Sequence, residues 1–111
     1  MSEIAVLDRV RFEEVTGGDP ELERELAELY LTTAEKYLAE MSTILGRDGD
    51  WSGPAHALKG ASANLGISEM QELAKKAEYS EPDPALMEQI RTGLARVRDL
   101  FVERNKALRA N

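Results

Sequence analysis

The chain has 111 residues, a formal net charge of −7 and no cysteine. Its length suggests one domain, residues 1–111, with a single modest core, and the lack of cysteine excludes disulfides and thiolate metal sites. An acidic chain without a basic stripe is poorly suited to nucleic acid. The N-terminus lacks the features of a signal peptide, and no apolar run reaches the roughly 20 residues that span a bilayer. We therefore expect a cytoplasmic protein that binds neither nucleic acid nor membranes.

A short helix around residues 6–15 is the first predicted element. A long amphipathic helix follows it, with Asp19 as the expected N-cap and Pro20 as the first helical residue. Apolar positions recur along this helix at steps of three and four, and they are Leu22, Leu26, Leu29, Tyr30, Thr33, Tyr37, Met41, Ile44 and Leu45. The run GRDGDWSGP at 46–54 then predicts the end of the helix and a turn.

Two further helices and a last long one complete the plan. The segment AHALKGASANLG at 55–66 has a helical pattern, and Ser68 with Gln71 predicts a capping box for the next helix. Asp83 and Pro84 repeat the earlier Asp-Pro start, and the apolar positions that follow are Leu86, Ile90, Leu94, Val97, Phe101 and Leu108. We see no strand pattern and no repeat. The expected fold is all-α, an antiparallel up-down four-helix bundle with a short extra N-terminal helix.

The chain's only histidine, His56, lies in the third of these helices. Each residue turns a helix by about 100°, so Leu58 points away from His56 whereas Lys59 and Gly60 share its side. Glycine on an exposed helix face costs about 1 kcal/mol relative to alanine, which an idle surface histidine does not explain. A functional histidine does explain it, because a glycine leaves room for a partner to approach. Lys59 can then place positive charge beside a group on the imidazole, which is itself a competent nucleophile.

The run from His56 to Gly66, HALKGASANLG, resembles the signature of histidine-containing phosphotransfer (HPt) domains. The pattern in that family is His, any residue, Leu, Lys, Gly, any residue, Ser or Ala, two residues of any kind, an apolar residue and Gly. Every defined position is matched in this chain. The length and the helical plan agree with the family over nearly the whole sequence.

The resemblance implies a four-helix bundle that carries phosphoryl groups in multistep two-component signalling, without kinase activity of its own. Carried over to this chain, His56 accepts the group from an aspartate on a receiver domain, in a hybrid sensor kinase or a response regulator, and passes it to another receiver. Lys59 is the charge partner and Gly60 is the docking gap. Members of the family often place a polar side chain of the next helix beside the histidine, and Lys75 and Glu78 are the candidates here.

The same resemblance bears on cofactors and assembly. In such transfers Mg²⁺ belongs to the receiver domain, so no cofactor and no metal are expected on this chain. Because one exposed histidine must meet one aspartate, and the last helix has no apolar stripe to spare for a second copy, we expect a monomer.

Three alternatives fit parts of the sequence. The dimerisation domain of a sensor kinase also has a helical histidine, but an acidic residue and soon a proline typically follow it. Here Ala57 follows, and after His56 the next proline is Pro82. The run DGDWSG at 48–53 imitates the opening of a calcium-binding loop, yet Lys59 takes the place of the glutamate that should complete it. The third alternative is a helical interaction module without chemistry, which would not take up acid-labile phosphate.

Overall fold

The computed structural model describes residues 5–109, and within that range the chain forms five helices and no strand. They are α1 (Arg9–Thr16), α2 (Pro20–Leu45), α3 (Ser52–Leu65), α4 (Ser68–Glu78) and α5 (Pro84–Arg109). Each of α2 to α5 packs against two others in a closed ring, in the order α2, α3, α4, α5, and α1 lies against α2 and α3. Short connections make successive helices antiparallel. The predicted bundle with an extra N-terminal helix is confirmed. Among residues 5–109, none of the helices combines the length and the hydrophobicity that a membrane-spanning segment requires.

Aspartate side chains cap both long helices, as predicted. The carboxylate of Asp19 accepts hydrogen bonds from the backbone N–H groups of Glu21 and Leu22 at the start of α2. The carboxylate of Asp83 accepts one from Ala85 at the start of α5. A side-chain oxygen in this position satisfies an N–H group that has no partner within the helix. These contacts fix where each long helix begins.

The predicted capping box at Ser68 does not form. Helix α4 begins at Ser68 itself, and its N-cap is Ile67, whose side chain makes no capping hydrogen bond. The carbonyl of Ile67 already accepts the first helical hydrogen bond, from Gln71, and the hydroxyl of Ser68 donates to the carbonyl of Gly66. The prediction was wrong because Ile67 is completely buried. With Ile67 buried as the N-cap, α4 starts at Ser68, one residue earlier than an N-cap at Ser68 would give.

The buried side of α2 is rotated relative to the apolar positions predicted from the sequence. Its buried residues are Glu23, Ala27, Tyr30, Ala34, Leu38 and Met41, so only Tyr30 and Met41 of the predicted set are fully buried. Leu29, which was expected inside, is 62% exposed. Alanines face the centre of the bundle because small side chains allow helices to approach closely, and larger apolar residues then lie at the edges of the interface. On α5, by contrast, Leu86, Ile90, Leu94, Val97 and Phe101 are buried as predicted. The side chain of Leu108 lies outside the described residues.

A tight turn joins α3 to α4. Gly66 has a positive φ of 78°, and the N–H of Ile67 donates to the carbonyl of Ser62 at 2.8 Å, which is the pattern of a glycine-terminated helix. The carbonyl of Gly66 accepts a hydrogen bond from the N–H of Asp8, also at 2.8 Å. The segment before α1 is therefore attached to this turn. Together these contacts fix the angle and register at which α4 returns along α3.

Trp51 fixes the other end of the α3–α4 pair. Its side chain is completely buried. Its indole N–H donates to the carbonyl of Ala77 at 2.9 Å and lies 3.1 Å from that of Ser80. Because Trp51 directly precedes α3, whereas Ala77 lies in the last turn of α4 and Ser80 just after it, this contact ties the first turn of one helix to the last turn of the other. The first turns of α3 and the last turns of α4 are thereby held in register.

Candidate functional site

The exposed side of α3 carries the chain's histidine. The side chain of His56 is 68% exposed, whereas Leu58 is completely buried in the core. Gly60 lies one turn along on the same side, and a Cβ atom placed there would meet nothing within 4 Å. The helix therefore offers an accessible imidazole with open space beside it.

Glu78 of α4 holds one nitrogen of this imidazole. The Nδ1 atom of His56 lies 2.6 Å from Oε1 of Glu78. A carboxylate accepts hydrogen bonds and does not donate them, so the contact favours the tautomer with the proton on Nδ1. In that tautomer the lone pair is on Nε2. The geometry therefore leaves Nε2 as the nucleophilic atom of an otherwise exposed ring.

Lys59 is attached to the other oxygen of the same carboxylate. Its Nζ atom lies 2.5 Å from Oε2 of Glu78, whose side chain is only 14% exposed. The hydrogen bond from Lys59 is the main cause that holds the pKa of Glu78 below its usual value, and the contact with His56 acts in the same direction against partial desolvation. The same hydrogen bond raises the pKa of Lys59. At neutral pH the site thus pairs a carboxylate with a lysine cation beside the imidazole.

The structure distinguishes between the two residues of α4 that the sequence nominated. Glu78 reaches His56 and Lys59, while Lys75 is exposed one turn earlier on the same helix. The turn at Gly66 returns α4 along α3 in the antiparallel direction, and the rotation of α4 then decides between the two residues, because it leaves Lys75 exposed and turns Glu78 towards α3. Residues at similar distances on either side of the turn lie opposite each other, which pairs the beginning of α3 with the end of α4. Counting outward from the glycine does not select Glu78, because His56 lies ten residues before Gly66, whereas Lys75 lies nine and Glu78 twelve residues after it.

Sequence reasoning missed Tyr79, which follows Glu78 at the end of α4. The side chain of Tyr79 is 78% exposed, and the Nζ atom of Lys59 lies 5.9 Å from the centre of its ring. A cation at this distance over an aromatic face is weakly attracted to it. Tyr79 therefore forms an apolar edge of the site, on the side where Lys59 meets Glu78.

The connection before α3 is a turn. The carboxylate of Asp50 accepts hydrogen bonds from both the backbone N–H and the hydroxyl of Ser52, each at 2.9 Å, which lowers the pKa of Asp50. This arrangement is a local aspartate turn leading into a helix. Over the part of the chain that the structure describes, no three His, Asp or Glu side chains are grouped so as to hold a metal ion.

Beyond Gly60, the surface of α3 that faces α2 is largely apolar. A shallow groove runs between α2 and α3, and the exposed Leu29 lines it together with Leu26, Ala61 and Asn64. Asn64 lies one turn beyond Gly60 on α3, so the groove continues the open surface next to the imidazole. The histidine therefore has the Glu78–Lys59 pair beside it and an accessible apolar groove farther along α3.

Comparisons with known proteins agree with this geometry. The family model for the Hpt domain matches residues 25–100. The structure is similar to the crystal structure of histidine-containing phosphotransfer protein B (HptB) from Pseudomonas aeruginosa PAO1, with a TM-score of 0.71 and 25% sequence identity over 92% of this chain and 96% of that one. No significant match was found among curated protein sequences. The residues matched by the family model include all of α3 and α4, the two helices that build the site.

Proposed function

The chain belongs to the Hpt domain family and is a phosphocarrier of phosphorelays, and we propose that His56 is the residue that carries the phosphoryl group. The observation that supports this assignment is the different surroundings of the two imidazole nitrogens. Glu78 occupies Nδ1, while Nε2 belongs to a ring that is 68% exposed. His56 is also the only histidine in the sequence. The family assignment decides against the dimerisation domain of a sensor kinase.

In the proposed transfer, the lone pair of Nε2 attacks the phosphorus of an aspartyl phosphate on a receiver domain. The bond between phosphorus and the aspartate oxygen breaks, and its electrons return to the carboxylate. A second receiver then takes the group from Nε2 by the reverse step. Attacking and leaving atoms must be nearly in line and close together, so catalysis depends mainly on positioning and on neutralising the phosphoryl charge.

We propose that the charge of Lys59 neutralises the phosphoryl group and that the open space at Gly60 permits the positioning of the receiver. Lys59 is one turn from His56, and its side chain can leave Glu78 to approach a phosphoryl group on the ring. Gly60 allows the receiver's loops to lie against α3, with the groove at Leu29 extending the contact surface. Mg²⁺ is supplied by the receiver, so the chain itself needs no cofactor.

Receiver domains of two-component systems are the partners that the family assignment implies. We further propose that the chain works as one domain and as a monomer in the cytoplasm, that it has no kinase activity, and that it binds neither nucleic acid nor membranes. A monomer suits the geometry because α2 to α5 already bury their apolar sides against one another.

Incubation with a phosphorylated receiver tests the assignment of His56. A receiver domain charged with acetyl phosphate and Mg²⁺ should transfer label to this chain as acid-labile, base-stable phosphate. The variant His56→Gln should fold normally and remain unlabelled, whereas the matched surface variant Lys75→Ala should label like the parent. Label on His56→Gln of the same stability to acid and base would overturn the assignment.

A further inference from the structure

We propose that the exposed ring of Tyr79 is a docking contact for the receiver domain on the α4 side of His56, so that transfer from a receiver depends on this ring whereas phosphorylation by a small donor does not. The inference deepens the proposed function and rests on it, because it requires that a receiver meets His56. It adds a contact on α4 to the open space that Gly60 leaves on α3.

Tyr79 has the most exposed of the large apolar side chains that the structure describes. Within residues 5–109, four such side chains are exposed, and Tyr79, at 78%, has the highest exposed fraction and the only aromatic ring among them. The others are Val10, Leu29 and Val102. A single exposed apolar side chain needs no explanation by itself. The position of Tyr79 supplies one, because it directly follows Glu78, which holds the imidazole of His56.

The ring of Tyr79 lies within the area that a receiver covers when it reaches His56. Contacts of 2.6, 2.5 and 5.9 Å lead from Nδ1 of the imidazole through Glu78 and Lys59 to the centre of the tyrosine ring. A protein partner typically covers about 800 Å² of the surface, which corresponds to a patch about 16 Å in radius. Transfer requires the receiver's aspartate to meet Nε2, and a patch of this size centred there includes Tyr79.

The backbone on both sides of Tyr79 is anchored. The carbonyl oxygens of Ala77 and Ser80 lie 2.9 and 3.1 Å from the indole nitrogen of the buried Trp51, and the N–H of Ser80 donates to the carbonyl of Ala77. A tyrosine side chain offers a large contact area and loses little conformational entropy when a partner covers it. An aromatic side chain on an anchored backbone is therefore typical of the residues that contribute most to protein interfaces.

The ring of Tyr79, and not its hydroxyl, is the expected contact. Over the described part of the chain the hydroxyl makes no hydrogen bond, and the partner of the ring is the ammonium group of Lys59. Tyr79 is 78% exposed with Lys59 in place, so the ammonium group leaves most of the ring uncovered. A receiver can cover the rest by apolar contact, and a phenylalanine should serve equally well at this position.

Two phosphodonors of different size test the proposal. Phosphoramidate is small and needs no docking surface, whereas a phosphorylated receiver domain, selected because it labels the parent chain, has to dock. We expect Tyr79→Ala to raise the KM for the receiver about five- to tenfold, while labelling by phosphoramidate and the lifetime of the phosphohistidine keep their parent values. Tyr79→Phe should behave like the parent with both donors. Val102→Ala, which shortens an exposed apolar side chain in the C-terminal third of α5, is the matched control and should change neither reaction.

The possible results separate docking from other roles of Tyr79. Thermal unfolding would verify that each variant is folded. A parent-like KM in folded Tyr79→Ala would overturn the inference. An equal loss with phosphoramidate would also overturn it, because Tyr79 would then act on the chemistry through Lys59, and so would a loss of the same size in Tyr79→Phe. If the parent takes up no phosphate on His56 from either donor, it is the proposed function that fails.

Discussion

The ammonium group of Lys59 lies against Glu78 when His56 carries no phosphoryl group. It must exchange that partner for the phosphoryl group, so it contributes only part of its charge to transfer. We predict that Lys59→Ala slows phosphotransfer or shortens the lifetime of the phosphohistidine several-fold without abolishing either, because an exposed charge is screened by water and salt. Transfer kinetics at low and high salt would measure this. Equal rates and lifetimes at low salt would leave Lys59 without a function.

Gly60 allows the effects on stability and on docking to be separated at one residue. A Cβ atom there meets nothing, so Gly60→Ala should raise the free energy of unfolding by about 0.5–1 kcal/mol through helix propensity alone. Gly60→Gln should also fold, but its longer side chain would occupy the space that the receiver needs. Thermal unfolding, receiver affinity and transfer rate would be measured for both variants. If Gly60→Gln bound its receiver and transferred at the parent rate, the docking gap would be the wrong explanation for this glycine.

For single residues, the sequence predicts which side chains share one side of the same helix. The periodicity of α3 placed His56, Lys59 and Gly60 on a single exposed side, and in the structure His56 and Gly60 are exposed there while Lys59 is half-buried against Glu78. The choice between Lys75 and Glu78 depends on the register between two helices, which periodicity within either helix does not contain. The contact between Lys59 and Tyr79 depends on the same register.

At the scale of elements, the turn at Gly66 determines that register. Its φ of 78° is unfavourable for a residue with a side chain, and a Cβ atom would lie 3.0 Å from the carbonyl oxygen of Asp8. We predict that Gly66→Ala lowers the free energy of unfolding by about 1–2 kcal/mol or more. Gly60→Ala on the same helix is the matched control and should change stability in the opposite direction. Chemical denaturation of the two variants would compare them, and equal stabilities would contradict the account of this turn.

The helices themselves show which sequence signals are reliable. Asp19 and Asp83 start the two long helices because each cap is a local interaction over two or three residues. The inward side of α2 could not be placed in this way, since its apolar residues occupy more than half of the helix circumference. Packing then selected Ala27 and Ala34 for the centre and left Leu29 exposed, a choice that depends on the neighbouring helices and not on α2 alone.

At the scale of the whole molecule, the site should contribute to the stability of the bundle in a pH-dependent way. The pKa of Glu78 is lower in the folded protein than its ordinary value of 4.5, mainly because of Lys59. A carboxyl group whose pKa is lowered by folding stabilises the folded protein at pH values above its pKa in the unfolded chain. That stabilisation is lost as the pH falls through its pKa in the folded protein. The stability advantage of the parent over Glu78→Gln should therefore be present at pH 6–7 and shrink below about pH 4.5. Urea denaturation at several pH values would measure it, and a pH-independent difference would contradict the assignment.

If Glu78 occupies Nδ1 of His56, the phosphoryl group must be bonded to Nε2. The most direct test is heteronuclear NMR of the ¹⁵N-labelled protein after phosphorylation, with the couplings between ³¹P and the ring nitrogens used to identify the bonded atom. We predict coupling that identifies Nε2 of His56, with the proton on Nδ1. A phosphoryl group bonded to Nδ1, or to another residue, would contradict the account.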